Sequence, residues 1–136
     1  MKLKDFVEIY SIEHTQNLVD DIFLKESEAV MQVSVGNQLS DYLTSYGYLA
    51  YKHIELYGMN SIQKLKSDMI TETVYLHKYF PKTENMIALE DLGDDLYVLV
   101  SPDDFVFYFD TVSDEVKAVG KTLEEYVISH FLEAID

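Results

Sequence analysis

The 136-residue chain contains no cysteine and no arginine. The absence of cysteine excludes disulfides, thiolate nucleophiles and cysteine-ligated zinc or iron–sulfur centres, and it suits a reducing compartment. Long hydrophobic runs are also missing, because no apolar stretch approaches the roughly 18 residues that a membrane-spanning helix needs. The N-terminal segment is amphipathic and lacks the apolar core of a signal peptide. The sequence therefore predicts a soluble cytoplasmic protein without a membrane partner.

The charge is strongly one-sided. Ten lysines stand against 25 acidic residues, which gives a formal net charge of −15. Nucleic-acid binding relies on lysine and arginine to neutralise phosphates, and arginine reads guanine edges. Direct nucleic-acid binding is therefore not expected. An acidic surface attracts basic proteins, although the same charge can serve solubility alone.

The length suits one domain, which we assign to residues 1–136. Only two prolines occur, and no internal repeat or low-complexity tract divides the chain. Hydrophobic residues make up 48% of the chain and aromatic residues 13%, enough to supply a packed core. Disorder is not expected.

Helical patterns dominate the first 80 residues. Helices are predicted over residues 3–13, 20–35, 37–46 and 67–80. Gly36 and Gly47 are predicted to end the second and third of these helices, and Asn37 to cap the start of the third. The fourth is predicted to start at Ser67 and to end before Pro81.

A β-rich region follows. Strands are predicted over Met86–Glu90, Leu96–Ser101, Phe105–Phe109 and Glu115–Val119, separated by turn sequences rich in aspartate, glycine and proline. Thr122 and Glu125 then form a capping box for a last helix. The predicted fold class is α+β, with N-terminal helices, a central antiparallel β-meander and a C-terminal helix packed on the sheet.

Searches for catalytic and metal-binding motifs find none. The four histidines have no metal-ligand spacing, and the acids around Asp94 and Asp95 lack the calcium-loop pattern. Residues 48–57 alternate as a strand should, which places His53 and Glu55 on one face as a conceivable acid–base pair or as a solvated surface. We predict no enzyme activity, no metal and no cofactor. A small hydrolase using Glu55 or the aspartate turns is the least favoured alternative.

Tyrosine is abundant, with eleven copies, while tryptophan is absent. Five tyrosines lie close together in the chain, at positions 42, 46, 48, 51 and 57. Tyrosine is enriched at interface hot spots because it combines a large apolar area with a polar tip. Two or three of these side chains are expected to be exposed beside acids, as a docking surface.

Several segments together resemble the SUKH superfamily. The segment 39–47 (LSDYLTSYG) is similar to the helix and glycine that open its sheet, and 54–58 (IELYG) to its first strand. The segment 86–99 (MIALEDLGDDLYVL) resembles its strand, glycine–acid turn and second strand, and 106–110 (VFYFD) with the closing helix resembles its tail. The resemblance spans roughly residues 20 to 135.

This resemblance implies an immunity function, in which the protein binds a cognate toxin, often a nuclease, inside the producing cell. Carried over by position, the candidate partner-binding residues are Glu55, Tyr57, Glu90, Asp91, Asp94 and Asp95. An acidic, tyrosine-rich surface agrees with a blocker of a basic toxin, since its carboxylates can take the place of phosphates.

The alternative is a non-catalytic regulatory or scaffolding domain. A toxin gene beside the gene for this protein would favour the first function, and its absence the second. The sequence leaves open whether the chain forms a homodimer, because the edge of a short meander can pair with a twin or with a target.

Overall fold

A computed structural model describes residues 1–16, 19–60 and 67–135. Within these residues the helices are α1 (Leu3–Ile9), α2 (Asp21–Met31), α3 (Asn37–Ser45), α4 (Asp68–Tyr79) and α5 (Leu123–Ile135). The strands are β1 (Glu13–Gln16), β2 (Tyr46–Tyr51), β3 (Ile54–Leu56), β4 (Ile87–Gly93), β5 (Leu96–Val100), β6 (Phe105–Asp110) and β7 (Glu115–Thr122). A 3-10 turn, Pro81–Thr83, connects α4 to β4. The α+β class is confirmed.

The first two helices are shorter than predicted. Helix α1 ends at Ile9, and the residues expected to complete it turn instead into β1, because that strand pairs with β2. Helix α2 starts at its side-chain cap, since Asp20 accepts a hydrogen bond from the Phe23 amide at 2.9 Å. It stops at Gln32, which adopts a left-handed conformation with φ 58°. Gly36 is therefore not the stop of α2.

Helix α3 is capped from a distant part of the chain. Asn37 is its first helical residue rather than its cap. The carboxylate of Asp104 accepts hydrogen bonds from the amides of Gln38 at 2.9 Å and Leu39 at 3.1 Å. The Gln38 side chain in turn accepts a bond from the Glu124 amide in the first turn of α5 at 2.9 Å. These bonds satisfy amides that a helix start leaves without intrahelical partners.

The two strands that follow α3 join β1 in a small sheet of strand order β1-β2-β3. The single strand predicted over residues 48–57 is a hairpin, with Lys52 in the left-handed region (φ 53°) at its turn. Gly47 was predicted to end α3, but it lies within β2. Beyond β3, the Tyr57 amide donates to the Leu89 carbonyl of β4 at 2.7 Å, which ties the small sheet to the meander.

The meander is confirmed as an antiparallel sheet of order β4-β5-β6-β7. Its first hairpin turns at Asp94 and Asp95, both with positive φ (52° and 67°), as in the two-residue turns that match strand twist. The capping box that starts α5 is also confirmed. The Thr122 amide donates to Glu125 Oε1 at 3.0 Å, and the Glu125 amide donates to Thr122 Oγ1 at 3.4 Å.

The four-stranded sheet is buried on both faces. On one face, residues such as Leu89 and Val98 join a large core with the apolar side of α5, including Val127 and Phe131. On the other face, Ala88, Leu99 and Phe109 pack with Leu76 of α4. The predicted packing of the C-terminal helix on the sheet is confirmed. Helix α4 covers the opposite face, and its outer side stands beside the β4–β5 hairpin.

Candidate functional site

The outer side of α4 carries a line of acids and tyrosines. Asp68, Glu72, Tyr75 and Tyr79 are spaced i, i+4, i+7 and i+11, so they follow one stripe along the helix. The buried residues of α4, among them Ile70 and Leu76, face the opposite way. The stripe therefore lies on the solvent side, with Tyr75 46% and Tyr79 58% exposed.

The β4–β5 hairpin places three carboxylates next to this stripe. Asp91, Asp94 and Asp95 are exposed. Asp91 accepts the Gly93 amide at 2.8 Å, and the Asp95 carbonyl accepts the Thr111 amide at 2.9 Å. These bonds stabilise the turn that carries the three acids.

Helix and hairpin enclose a shallow groove of about 200 Å³, which we call the α4–hairpin groove. Its lining consists of Tyr75, Phe80, Asp91, Gly93, Asp94, Asp95, Tyr97 and Thr111. Glu72 adjoins it, because the Tyr97 hydroxyl lies 3.5 Å from Glu72 Oε2. Aromatic rings and carboxylates thus share one concave surface.

The acids of the groove repel one another. Partial burial, followed by the nearby charges of Asp91 and Asp68, raises the pKa of Glu72. Partial burial and the charges of Glu72 and Asp91 raise the pKa of Tyr97 to about 12. The same groups, after burial, raise the pKa of Tyr57. The surface concentrates negative potential, and a cation bound there would reduce the repulsion between its carboxylates.

No lysine neutralises these carboxylates within the described residues. In residues 1–16, 19–60 and 67–135 the ion pairs are Lys82 with Asp114 and His130 with Glu90. Lys78, also on α4, lies with its Nζ 5.3 Å from the Tyr79 ring centroid. Among the described residues, therefore, no ion pair offsets the negative charge of the groove.

Three of the six candidate residues, Asp91, Asp94 and Asp95, line the groove. Tyr57 lies close enough to feel the charges of Glu72 and Asp91, but it is half-buried. Its backbone is engaged as well, since its carbonyl accepts the Tyr42 hydroxyl at 2.7 Å. Tyr57 therefore lies next to the groove as a half-buried structural residue and is not part of its lining.

Glu90 is not a surface residue, contrary to the prediction. Its side chain is 4% exposed and accepts hydrogen bonds from Tyr126 Oη at 3.2 Å and His130 Nε2 at 3.0 Å. The β4–β5 register shifts between Ala88 and Glu90, so both Leu89 and Glu90 point into the protein. Glu90 ties β4 to α5 and is buried away from any partner.

Glu55 lies elsewhere. It is exposed on β3, paired opposite Ala50 of β2, and it is not among the residues that line the groove. The prediction that His53 and Glu55 share a strand face is wrong, because His53 lies in the β2–β3 turn. The conceivable acid–base pair loses its basis, whereas Glu55 is exposed to solvent. Among the described residues, no group of three or more histidine, aspartate or glutamate side chains is arranged to hold a metal ion.

None of the five tyrosines expected to supply an exposed docking surface is fully exposed. Tyr42 is 1% and Tyr46 8% exposed, while Tyr48, Tyr51 and Tyr57 are half-buried. The more exposed tyrosines are Tyr10, Tyr75 and Tyr79. The stripe on α4 was missed, although its spacing is visible in the sequence. Its position beside the hairpin is not, because only tertiary packing brings the two together.

Comparison with known proteins agrees with this architecture. A search among curated proteins finds no match. Within the described residues, no helix has the length and apolar character to cross a membrane. The family model SUKH_5, described as SMI1-KNR4 cell-wall, matches residues 3–132 and so covers nearly the whole chain. The chain therefore belongs to the SUKH superfamily.

Proposed function

We propose that this chain is a non-catalytic immunity protein that binds a cognate toxin in the cytoplasm and neutralises it by occlusion. The observation that carries the proposal is the α4–hairpin groove, in which carboxylates that have no salt-bridge partner among the described residues lie beside the tyrosine rings of α4 and β5. Family membership supports an immunity-type role. The groove supplies a surface on which that role can be carried out.

The chemistry of the groove favours a basic partner. Asp91, Asp94 and Asp95 lie together at one hairpin of a chain with net charge −15. Such a field speeds the encounter with a cationic protein and disfavours acidic ones. A nuclease fits, because its substrate-binding surface is basic and carboxylates can take the place of phosphates there. Blocking that surface requires no reaction.

Tyrosines would contribute most to the lifetime of the complex. Tyr75 and Tyr79 present large rings whose centroids are 5.1 Å apart, and desolvated aromatic residues are typical hot spots. We expect the acids to control the association rate and the tyrosines to control the dissociation rate.

The test is co-expression with the product of the neighbouring gene. Growth would be scored with and without this protein, and the complex would be isolated by size-exclusion chromatography. Restored growth together with a stable complex supports the proposal. A toxic neighbour that neither binds nor is neutralised contradicts it for that partner and favours the regulatory or scaffolding function.

Charge variants would then locate the interface. Asparagine tolerates positive φ as aspartate does, so Asp94→Asn with Asp95→Asn removes two charges and keeps the turn. We expect association several-fold slower at low salt, with dissociation nearly unchanged. The matched control is Glu8→Gln with Glu26→Gln, two exposed carboxylates on α1 and α2. Equal effects of both double variants would mean that net charge, and not this groove, guides binding.

A further inference from the structure

The α4–hairpin groove has aromatic walls. Tyr75, Phe80 and Tyr97 line it together with the three aspartates. Tyr75 belongs to the outer face of α4, and it is 46% exposed. A group entering the groove would therefore meet ring faces and carboxylates at once.

The size of the groove limits what it can hold. Its volume of about 200 Å³ is below the roughly 300–1,000 Å³ of cavities that take drug-sized ligands. It suits the end of one side chain rather than a cofactor or a nucleotide. Its negative charge excludes an acidic end group and disfavours a neutral polar one.

A guanidinium group fits both the aromatic rings and the carboxylates of the groove. Its plane stacks on aromatic rings, and its fork of donors pairs with carboxylates in two-point fashion. A cation already lies near one ring of the stripe, because Lys78 Nζ is 5.3 Å from the Tyr79 ring centroid. Among the described residues no cation lies over the Tyr75 ring, which packs beside Tyr79 at 5.1 Å and is 46% exposed.

We propose that the α4–hairpin groove receives an arginine side chain of the partner protein, which stacks on Tyr75 and pairs with Asp91 and its neighbours. This deepens the proposed function and rests on it for the existence of a partner. Tyr79 lies outside the groove. In the proposed complex it contacts the partner residue next to that arginine. The groove then selects partners that carry an exposed arginine.

The proposal is testable on the isolated protein, without the toxin. N-acetyl-arginine amide would be titrated to 100 mM and followed by NMR, with N-acetyl-citrulline amide as the uncharged analogue of the same shape. We expect saturable shifts in the Tyr75 and Tyr97 rings and in the amides of residues 91–95, at least fivefold weaker for citrulline. Equal shifts with both compounds, or shifts centred elsewhere, would overturn it.

Two variants separate the ring from the charge. Tyr75→Leu keeps the helix and an apolar surface but removes the aromatic face, and it should weaken the arginine probe about two- to fivefold. Asp91→Asn preserves an acceptor for the Gly93 amide and should weaken the probe by a similar factor. Tyr10→Leu and Glu26→Gln, both exposed and outside the groove, are the controls and should leave the affinity unchanged.

The two proposals fail independently. If the toxin complex forms and growth is restored while the arginine probe does not bind, the groove proposal is wrong and the immunity function stands. If the probe binds in the groove but no toxic partner is neutralised, the chemistry of the groove stands and the immunity function is wrong.

Discussion

Replacing Glu90 by alanine is expected to lower the free energy of unfolding by about 2–4 kcal/mol. The carboxylate accepts hydrogen bonds from Tyr126 Oη and His130 Nε2, and each buried donor left unpaired costs about 1–3 kcal/mol. Tyr126 is 3% exposed and would bear the larger share. The His130 side chain is 18% exposed, so it can partly recover its loss from water.

The assay is urea denaturation followed by far-UV circular dichroism, together with thermal melts. For a chain of this length, the loss corresponds to a melting temperature lower by about 10 °C. Glu26→Ala is the matched control, because Glu26 is an exposed glutamate on α2. It should stay within about 0.5 kcal/mol of the wild type.

A double-mutant cycle tests the cause. Tyr126→Phe removes the hydroxyl that Glu90→Ala would leave unpaired, so the double variant should lose less stability than the sum of the two single changes. The expected coupling is about 1 kcal/mol or more. Wild-type stability of Glu90→Ala, or strictly additive effects in the cycle, would refute the reasoning that this buried cluster holds β4 to α5.

Three further predictions concern other regions. Glu72→Gln should raise the free energy of unfolding at pH 7 by less than about 1 kcal/mol and should weaken partner binding. Because the pKa of Glu72 is raised in the folded state, this gain should vanish below the unfolded-state pKa, where Glu72 is protonated in both states. A gain in stability that persists in acid would contradict the prediction. Asp104→Ala should lower the unfolding free energy in urea by about 1–3 kcal/mol, because it removes the cap of α3 and places alanine at a φ of 67°; an unchanged midpoint would disprove the capping role. Gly58→Ala should unfold at clearly lower temperature, because a methyl group there would overlap the Gly47 carbonyl oxygen of β2. A wild-type melting temperature would show that the backbone at Gly58 can move away from β2 at no cost.

Features with local causes were predictable from the sequence. The capping box at Thr122 and Glu125 and the meander are encoded within a few residues of where they form. The β2–β3 hairpin was not recognised, because its turn at Lys52 and His53 contains neither glycine nor asparagine. Strand β1 is fixed by pairing with β2, a contact that local patterns do not contain.

The groove was only half predictable. Asp91, Asp94 and Asp95 follow from the hairpin sequence, and their exposure follows from the turn. Glu90 was misplaced because strand alternation fails at the register shift beside it. Tyr75 contributes to the groove through tertiary packing, which spacing along one helix does not reveal.

The cap of α3 has a consequence for the order in which the chain folds during synthesis. The amides of Gln38 and Leu39 donate to Asp104, which lies 66 and 65 residues later in the chain. The Glu124 amide at the start of α5 donates in turn to the side chain of Gln38, 86 residues earlier. Helix α3 therefore leaves the ribosome with an unfinished first turn and cannot become fully stable until Asp104 has been made. We expect hydrogen exchange at these two amides to occur through cooperative opening of both halves together, rather than by local fraying of α3.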